Sequence, residues 1–326
     1  MGKVYITRQI PEAGINKLKE ANHEVIISEK DGVLTREELL SAIKDKGYDA
    51  VLCLLTDKID DEIYSAAGEQ CKIFANYAVG YDNIDVAAAE KRNMKISNTP
   101  GVLTESVAEH TFSLLLSIAH RVSEADRFCR AGKFDGWAPM LLLGNNLSGK
   151  TLGIVGLGRI GSRVAYHAAK GFDAKVIYYD INRNEDFEKE LGAEFKESLD
   201  DLLQEADFVS VHVPLIDATK HLINKERLGM MKDTAYLVNT SRGPVVDEAA
   251  LAGALKNQII KGAALDVFEE EPKIHPDLVN LENVILTPHI ASGTEETRGK
   301  MSELAAENII AVLDGKEAPN LVKSKK

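Results

Sequence analysis

The stretch TLGIVGLGRIGSRVA, residues 151–165, restricts the fold of this chain more than any other. An apolar strand pattern runs into Gly156, Gly158 and Gly161, spaced GxGxxG, and then into a helical pattern. The first glycine permits a tight turn, the second lets a pyrophosphate approach the backbone, and the third lets the new helix pack on the strand it has just left. The N–H groups that open that helix, from Arg159 and Ile160 onward, then face the phosphates. The next strand pattern, KVIYYD, closes on Asp180, about twenty residues beyond the last glycine. A carboxylate there accepts hydrogen bonds from the ribose hydroxyls of NAD and repels the extra phosphate of NADP. Arg183 lies close enough in sequence to serve an NADP-type contact, so these residues favour NAD without excluding its phosphorylated form.

A turn of this kind needs an open sheet around it, and the chain supplies two. Short apolar runs at VYI (4–6), EVII (24–27), AVLC (50–53), KIFAN (72–76) and MKIS (94–97) alternate with helical patterns, with Gly14, Gly32, Gly47, Gly68 and Gly80 read as turns. A second series follows at TLGIV (151–155), KVIYY (175–179), DFVSV (207–211), AYLVN (235–239), KGAAL (261–265) and NVIL (283–286). Between the series, Val107, Leu114, Leu115 and Ile118 recur at helical spacing and predict a long helix over 104–120 with Thr104 as its N-cap. A last helical pattern runs from about Thr294 to Leu313, long enough to return to the first series. The expected fold is α/β with two doubly wound parallel sheets. A Rossmann NAD-binding domain over 101–288 is inserted in a flavodoxin-like substrate domain made of 1–100 and 289–326.

Composition excludes several classes of function. The 326 residues carry a formal charge of −12, and basic residues gather only in the short tail Lys323, Ser324, Lys325, Lys326, so a phosphate-backbone footprint is lacking. No run approaches ~18 apolar residues, and MGKVYITR resembles no targeting signal, so neither a membrane nor export is expected. Cys53, Cys71 and Cys129 show no metal-ligand spacing and read as reduced thiols packed as small apolar residues in a cytoplasmic protein.

Three stretches follow the last three strand patterns: VNTSRGPVVDEAAL (238–251), ALDVFEEEP (264–272) and LTPHIAS (286–292). Ligands of open α/β sheets bind at the carboxyl ends of strands, so Arg242, Glu271 and His289 can converge on one crevice. Together with ANYAVGYDNIDV (75–86), NTPGVLTESVAEHTFSLLL (98–116), GLGRIG (156–161) and HVPL (212–215), they resemble the D-isomer-specific 2-hydroxyacid dehydrogenases along nearly the whole chain. CLLTDKID (53–60) and WAPMLLLG (137–144) are most similar to the glyoxylate/hydroxypyruvate reductase branch.

The resemblance implies reduction of a small 2-oxo acid with NADH, probed by three catalytic side chains. Arg242 would grip the carboxylate and carbonyl oxygens with its fork, His289 would donate the proton, and Glu271 would orient and charge that ring. Backbone N–H groups at Val79 and Gly80 would form a second carboxylate anchor, while Leu54 and Leu55 either line the substrate pocket or pack. Further cofactor contacts are implied for Thr104, Val213 and Thr240, and for Asp266, His289 and Ser292, with Asp266 alternatively capping a turn. Trp137 is either a staple in the connecting segment or a residue inserted into the site of a homodimer partner. The rival reading is an NAD-sensing, corepressor-like binding protein on the same fold. Formate dehydrogenase-like chemistry is disfavoured, because that branch usually has Gln in place of Glu271.

Overall fold

The computed structural model describes residues 1–323, and the remaining tail residues Ser324, Lys325 and Lys326 lie outside the described residues. Two units form, one from Met1–Leu103 with Gly293–Lys326 and the other from Thr104–Ser292.

In the first unit the strands are β1 (Lys3–Ile6), β2 (Glu24–Ile27), β3 (Ala50–Cys53), β4 (Ile73–Asn76) and β5 (Lys95–Ser97). They are parallel in the order β2-β1-β3-β4-β5, and the short strand Leu321–Val322 joins β5 antiparallel. Every residue of β3 and β4 is buried. That is why both read as apolar runs, broken only by Asn76 at the end of β4: with both faces covered, alternating polar residues are not needed. Two helices, Glu12–Glu20 and Glu295–Leu313, pack on each other. Here one expectation is corrected. Gly14, read as a turn, sits within the first of these helices, and a Cβ on it would meet the Ser302 carbonyl oxygen at 2.2 Å. The glycine serves close helix approach, and its N–H donates to Ser302 Oγ at 3.0 Å.

The second unit contains β6 (Thr151–Val155), β7 (Lys175–Tyr179), β8 (Glu194–Phe195), β9 (Phe208–Val211), β10 (Tyr236–Asn239), β11 (Gly262–Leu265) and β12 (Val284–Leu286). The order is β12-β11-β10-β9-β6-β7-β8, all parallel. Because β6 neighbours β9, the order reverses beside the glycine-rich turn, and the crevice of a doubly wound sheet opens there. One face is filled by side chains such as Leu202, Leu237 and Leu251, the other by Leu115, Ile154 and Val164. The helix Thr104–Ala119 lies against β10, β11 and β12 and buries Val107, Leu114, Leu115 and Ile118, each contributing roughly 1.5–3 kcal/mol through apolar burial. Thr104 is its first helical residue rather than a cap outside it. Two strands escaped the sequence pattern, β8 and Leu321–Val322, because two residues at a sheet edge carry no periodicity. Cys53 and Cys71 are buried as expected, but Cys129 is exposed on the helix Val122–Arg130, whose residues include none that is buried. Among the described residues, no helix is long and apolar enough to cross a membrane.

Candidate active site

The glycine-rich turn follows β6. Gly156 has φ +97°, a conformation that L side chains rarely adopt, and a Cβ there would press on Val213 Cγ1 at 2.9 Å and on the His212 carbonyl at 3.0 Å. Gly161, one turn into the helix Arg159–Phe172, would place a Cβ 2.1 Å from the Gly156 carbonyl oxygen. Gly158 differs: a Cβ on it would meet nothing within 4 Å. So the first and third glycines are required by the protein's own packing, whereas the second leaves an open cradle in front of a helix N-terminus. Backbone N–H groups at such a helix N-terminus suit the phosphates of a dinucleotide. Arg159 and Ile160 are the first residues of that helix, Arg159 exposed.

Asp180, just past β7, accepts from the Leu157 N–H at 2.7 Å and from the Asn182 N–H at 3.0 Å. The first bond ties the carboxylate to the glycine turn itself. Arg183 turns elsewhere, donating through its fork to both Glu188 oxygens at 2.9 and 2.8 Å.

On the other side of the crevice the ends of β10, β11 and β12 carry the expected trio. Beyond β10, buried Asn239 accepts from the Ser241 N–H and hydroxyl at 3.0 and 2.8 Å and donates to the Arg242 carbonyl at 2.9 Å, fixing the turn that carries Arg242. The next residue, Gly243, would put a Cβ 1.9 Å from the Phe268 carbonyl, so the Arg242 turn lies backbone to backbone on the loop after β11. In that loop the Phe268 N–H donates to Glu271 Oε1 at 3.1 Å, and His289 Nδ1 lies 2.9 Å from Glu271 Oε2. The carboxylate is thus held on one oxygen and holds a ring with the other.

His289 adopts φ +53°. A non-glycine residue there costs of order 1–3 kcal/mol and persists only where its surroundings over-determine it. They do: Asp266 accepts from the N–H groups of Ile290 and Ala291 at 2.9 and 2.8 Å and from the Thr287 hydroxyl at 2.6 Å. His110 Nε2, from the helix Thr104–Ala119, stands 3.3 Å from the same carboxylate. Asp266 is fully buried. Burial opposes its charge, but the bonds from His110, Thr287 and the two backbone N–H groups prevail, and its carboxyl is held below the usual range. Thr240 is buried at the end of β10 beside Thr111, with hydroxyls 2.9 Å apart, and Val213 follows β9 against Gly156. Ser292 is half-buried just beyond this turn, and Thr104 is half-buried at its helix start.

The first unit carries the remaining candidates in loops at the carboxyl edge of its own sheet. The carbonyls of Val79 and Gly80 accept from the side-chain amides of Asn98 and Asn76 at 2.8 and 2.9 Å, which fixes the backbone of that loop. Leu54 and Leu55 are half-buried after β3, where buried Asp57 accepts from the Leu54 N–H at 2.8 Å. Trp137 is 85% exposed, which does not fit a staple among the described residues.

Sequence reasoning missed Asn239, Thr287 and His110. Only His110 carried a usable signal, as a polar ring between Val107 and Leu114 on the apolar stripe of its helix.

Residues 112–291 match the model of the D-isomer specific 2-hydroxyacid dehydrogenase NAD-binding domain. The glyoxylate reductase of Korarchaeum cryptofilum is 52% identical over 98% of this chain and 95% of its own length. That of Pyrococcus furiosus is 49% identical over 98% and 95%. Among solved structures, a protein of Thermus thermophilus superposes with a TM-score of 0.91 at 41% identity, covering 98% of this chain and 99% of its own. The NADPH-dependent glyoxylate/hydroxypyruvate reductase of Sinorhizobium meliloti, solved with NADP and malonate, gives 0.85 at 30% identity over 100% and 99%. The chain belongs to the D-isomer specific 2-hydroxyacid dehydrogenase family and is an oxidoreductase acting on the CH–OH group of a 2-hydroxy acid, with an NAD-binding domain. Within the family its likeness is to the glyoxylate reductase branch.

Proposed function

We propose that the protein reduces a small 2-oxo acid of the glyoxylate, hydroxypyruvate or pyruvate type, using NADH in preference to NADPH. The observation that carries the reading is the 2.9 Å pairing of His289 Nδ1 with Glu271 on a histidine held in the left-handed region. With Nδ1–H given to Glu271, the ring's Nε2 hands a proton to the substrate's carbonyl oxygen and takes it back in the reverse reaction. Glu271 favours the imidazolium by its charge and keeps the ring in one tautomer. Arg242 grips the substrate carboxylate and carbonyl with a planar fork that Lys does not reproduce. In the first unit, the backbone N–H groups of Val79 and Gly80 supply a second anchor for the carboxylate, beside Leu55. When bound, NADH supplies the hydride that the carbonyl carbon receives. Gly156, Gly158, Arg159, Ile160 and Gly161 hold its phosphates, Asp180 its ribose, and Thr104, Val213, Thr240 and Ser292 the remainder, while the buried Asp266 acts through the turn it holds.

Preference for NADH is supported by Asp180 at the ribose position and by Arg183, whose fork is committed to Glu188. The named relatives support glyoxylate as a substrate. We place the enzyme in the cytoplasm as a homodimer, with the exposed apolar side chains Phe134, Trp137, Met140 and Leu143 covered by the second copy.

One panel tests the reading: oxidation of NADH and of NADPH with glyoxylate, hydroxypyruvate, pyruvate and bulkier 2-oxo acids. Turnover of the small acids is expected with NADH above NADPH, and Asp180→Ala should narrow that gap. Absence of turnover with every acid would favour the NAD-sensing alternative, and equal use of both cofactors by the unaltered protein would remove Asp180 as the discriminating residue.

A further inference from the structure

The loop that carries Glu271 is fastened by a residue outside the trio. Glu248 opens the helix Glu248–Lys256 and is 5% exposed. One of its carboxylate oxygens accepts from the Glu269 N–H and the other from the His275 N–H at 3.3 Å. These two amides bracket Glu271. In return the Glu248 N–H donates to Glu269 Oε1 at 3.1 Å, and His221 Nε2 lies 2.9 Å from that same oxygen. The His221 N–H is itself bonded to the Pro244 carbonyl at 2.8 Å. Three loops therefore meet at two carboxylates, and two of the loops carry Arg242 and Glu271.

A buried carboxylate is costly unless its oxygens are satisfied, and a solvated loop needs no such fastening. Burial comes first in setting the Glu248 carboxyl above its usual range; the two N–H bonds oppose it, the like charge of Glu269 adds to it, and His275 offsets it. The arrangement keeps a charged group inside the fold where Leu or Met would pack at less expense. What it provides is register. Gly243 lies against the Phe268 carbonyl with no room for a Cβ, so a shift of the 269–275 loop displaces the Arg242 turn as well.

We infer that Glu248, through its reciprocal bonds with Glu269 backed by His221, is a positioning residue that holds Glu271 in reach of His289. This rests on the reading of Glu271 and His289 as a charged acid/base pair. Glu248 touches no substrate; it acts through the loop.

The experiment follows the His289 ring in the ligand-free full chain, using histidine labelled with carbon-13 and the signal lost in His289→Gln as its assignment. Glu271→Gln should lower the His289 pKa, because the imidazolium loses its carboxylate. Glu248→Gln retains shape and one acceptor but turns a donor toward a donated N–H, and should move the His289 titration in the same direction as Glu271→Gln does. In a Glu271→Gln background the same change should move it hardly at all, since the effect passes through Glu271. The alkaline limb of 2-oxo acid reduction should follow the ring to lower pH, while NADH affinity by fluorescence titration stays put. If Glu271→Gln shifts the ring and Glu248→Gln does not, the positioning role is wrong. An equal shift in both backgrounds also overturns it, as that marks general loosening. If Glu271→Gln itself leaves the ring unmoved, the acid/base reading fails and this inference with it. Should Glu248→Gln fail to fold, Glu269→Ala removes the oxygen that accepts from the Glu248 N–H and from His221, severs the other half of the reciprocal pair and carries the same expectations.

Discussion

A histidine in the left-handed region has to be kept there, and at the residue scale that task falls to Asp266. Its two oxygens accept from the two amides that follow His289, from Thr287, and have His110 alongside. The fold holds its carboxyl below the usual range. The sign is therefore that of a group whose ionised form the fold favours: its contribution is present above the unfolded carboxyl pKa of about 3.9 and is lost as pH falls through the lower folded value. Across neutral pH it is charged throughout. Asp266→Asn should cost about 1–3 kcal/mol, because the new amide turns donors toward N–H groups that need an acceptor. With His289 released from its backbone position, kcat/KM for a 2-oxo acid should fall by more than about tenfold, the equivalent of roughly 1.4 kcal/mol. Thermal unfolding and steady-state kinetics read both effects. Wild-type values in the two measurements would mean that the left-handed turn is held by something other than Asp266. DVFEEEP shows four carboxylates in a row of seven residues, and spacing alone does not say which one is buried. That depends on the loop's path, which places Asp266 inside and leaves Glu271 at the rim.

At the scale of elements, much of the fold is legible because burial on both faces writes itself as short, largely apolar runs, the buried Asn76, Ser210 and Asn239 being the polar exceptions. β3, β4, β9, β10 and β11 are buried at every position, and each stands out in the sequence for that reason. β8 does not, since its two residues pair only with β7 at an edge. Gly14 misled for another reason: a glycine that makes room for a neighbouring helix looks, in one dimension, like a glycine that makes a turn. The three glycines after β6 can be separated experimentally on the same logic. Gly161→Ala would drive a Cβ into the Gly156 carbonyl at 2.1 Å, so the helix Arg159–Phe172 must shift, at a cost of about 1–3 kcal/mol. Gly158→Ala meets nothing within 4 Å and should melt with the parent protein. Its methyl instead occupies the cradle. NADH affinity by fluorescence titration should therefore weaken in Gly158→Ala without loss of stability, while Gly161→Ala loses both. If Gly158→Ala bound NADH as the parent does, the phosphates would have to lie elsewhere.

At the scale of the whole molecule, the two units differ in how the chain makes them. The first is assembled from both ends of the chain, whereas Thr104–Ser292 is one continuous piece with its own seven-stranded sheet and a packed layer on each face. Domains with their own core can fold alone. Residues 104–292 also include the glycine turn, Asp180, Arg242, the Glu271–His289 pair and both positioning carboxylates, but not Val79 or Gly80. A fragment of 104–292 should consequently unfold in one cooperative transition and bind NADH. At a hundredfold excess over Kd the cofactor should stabilise the fragment by about 2.7 kcal/mol, which appears as a raised melting temperature. The His289 ring should still respond to Glu271→Gln, because the pair needs nothing outside the fragment. Turnover of 2-oxo acids should be absent or nearly so if the loop proposed as the second carboxylate anchor, which the fragment lacks, is needed. A fragment that folds but does not bind NADH would show that the first unit contributes to the cofactor site. One that binds NADH and reduces glyoxylate at the full rate would remove Val79 and Gly80 from the reaction.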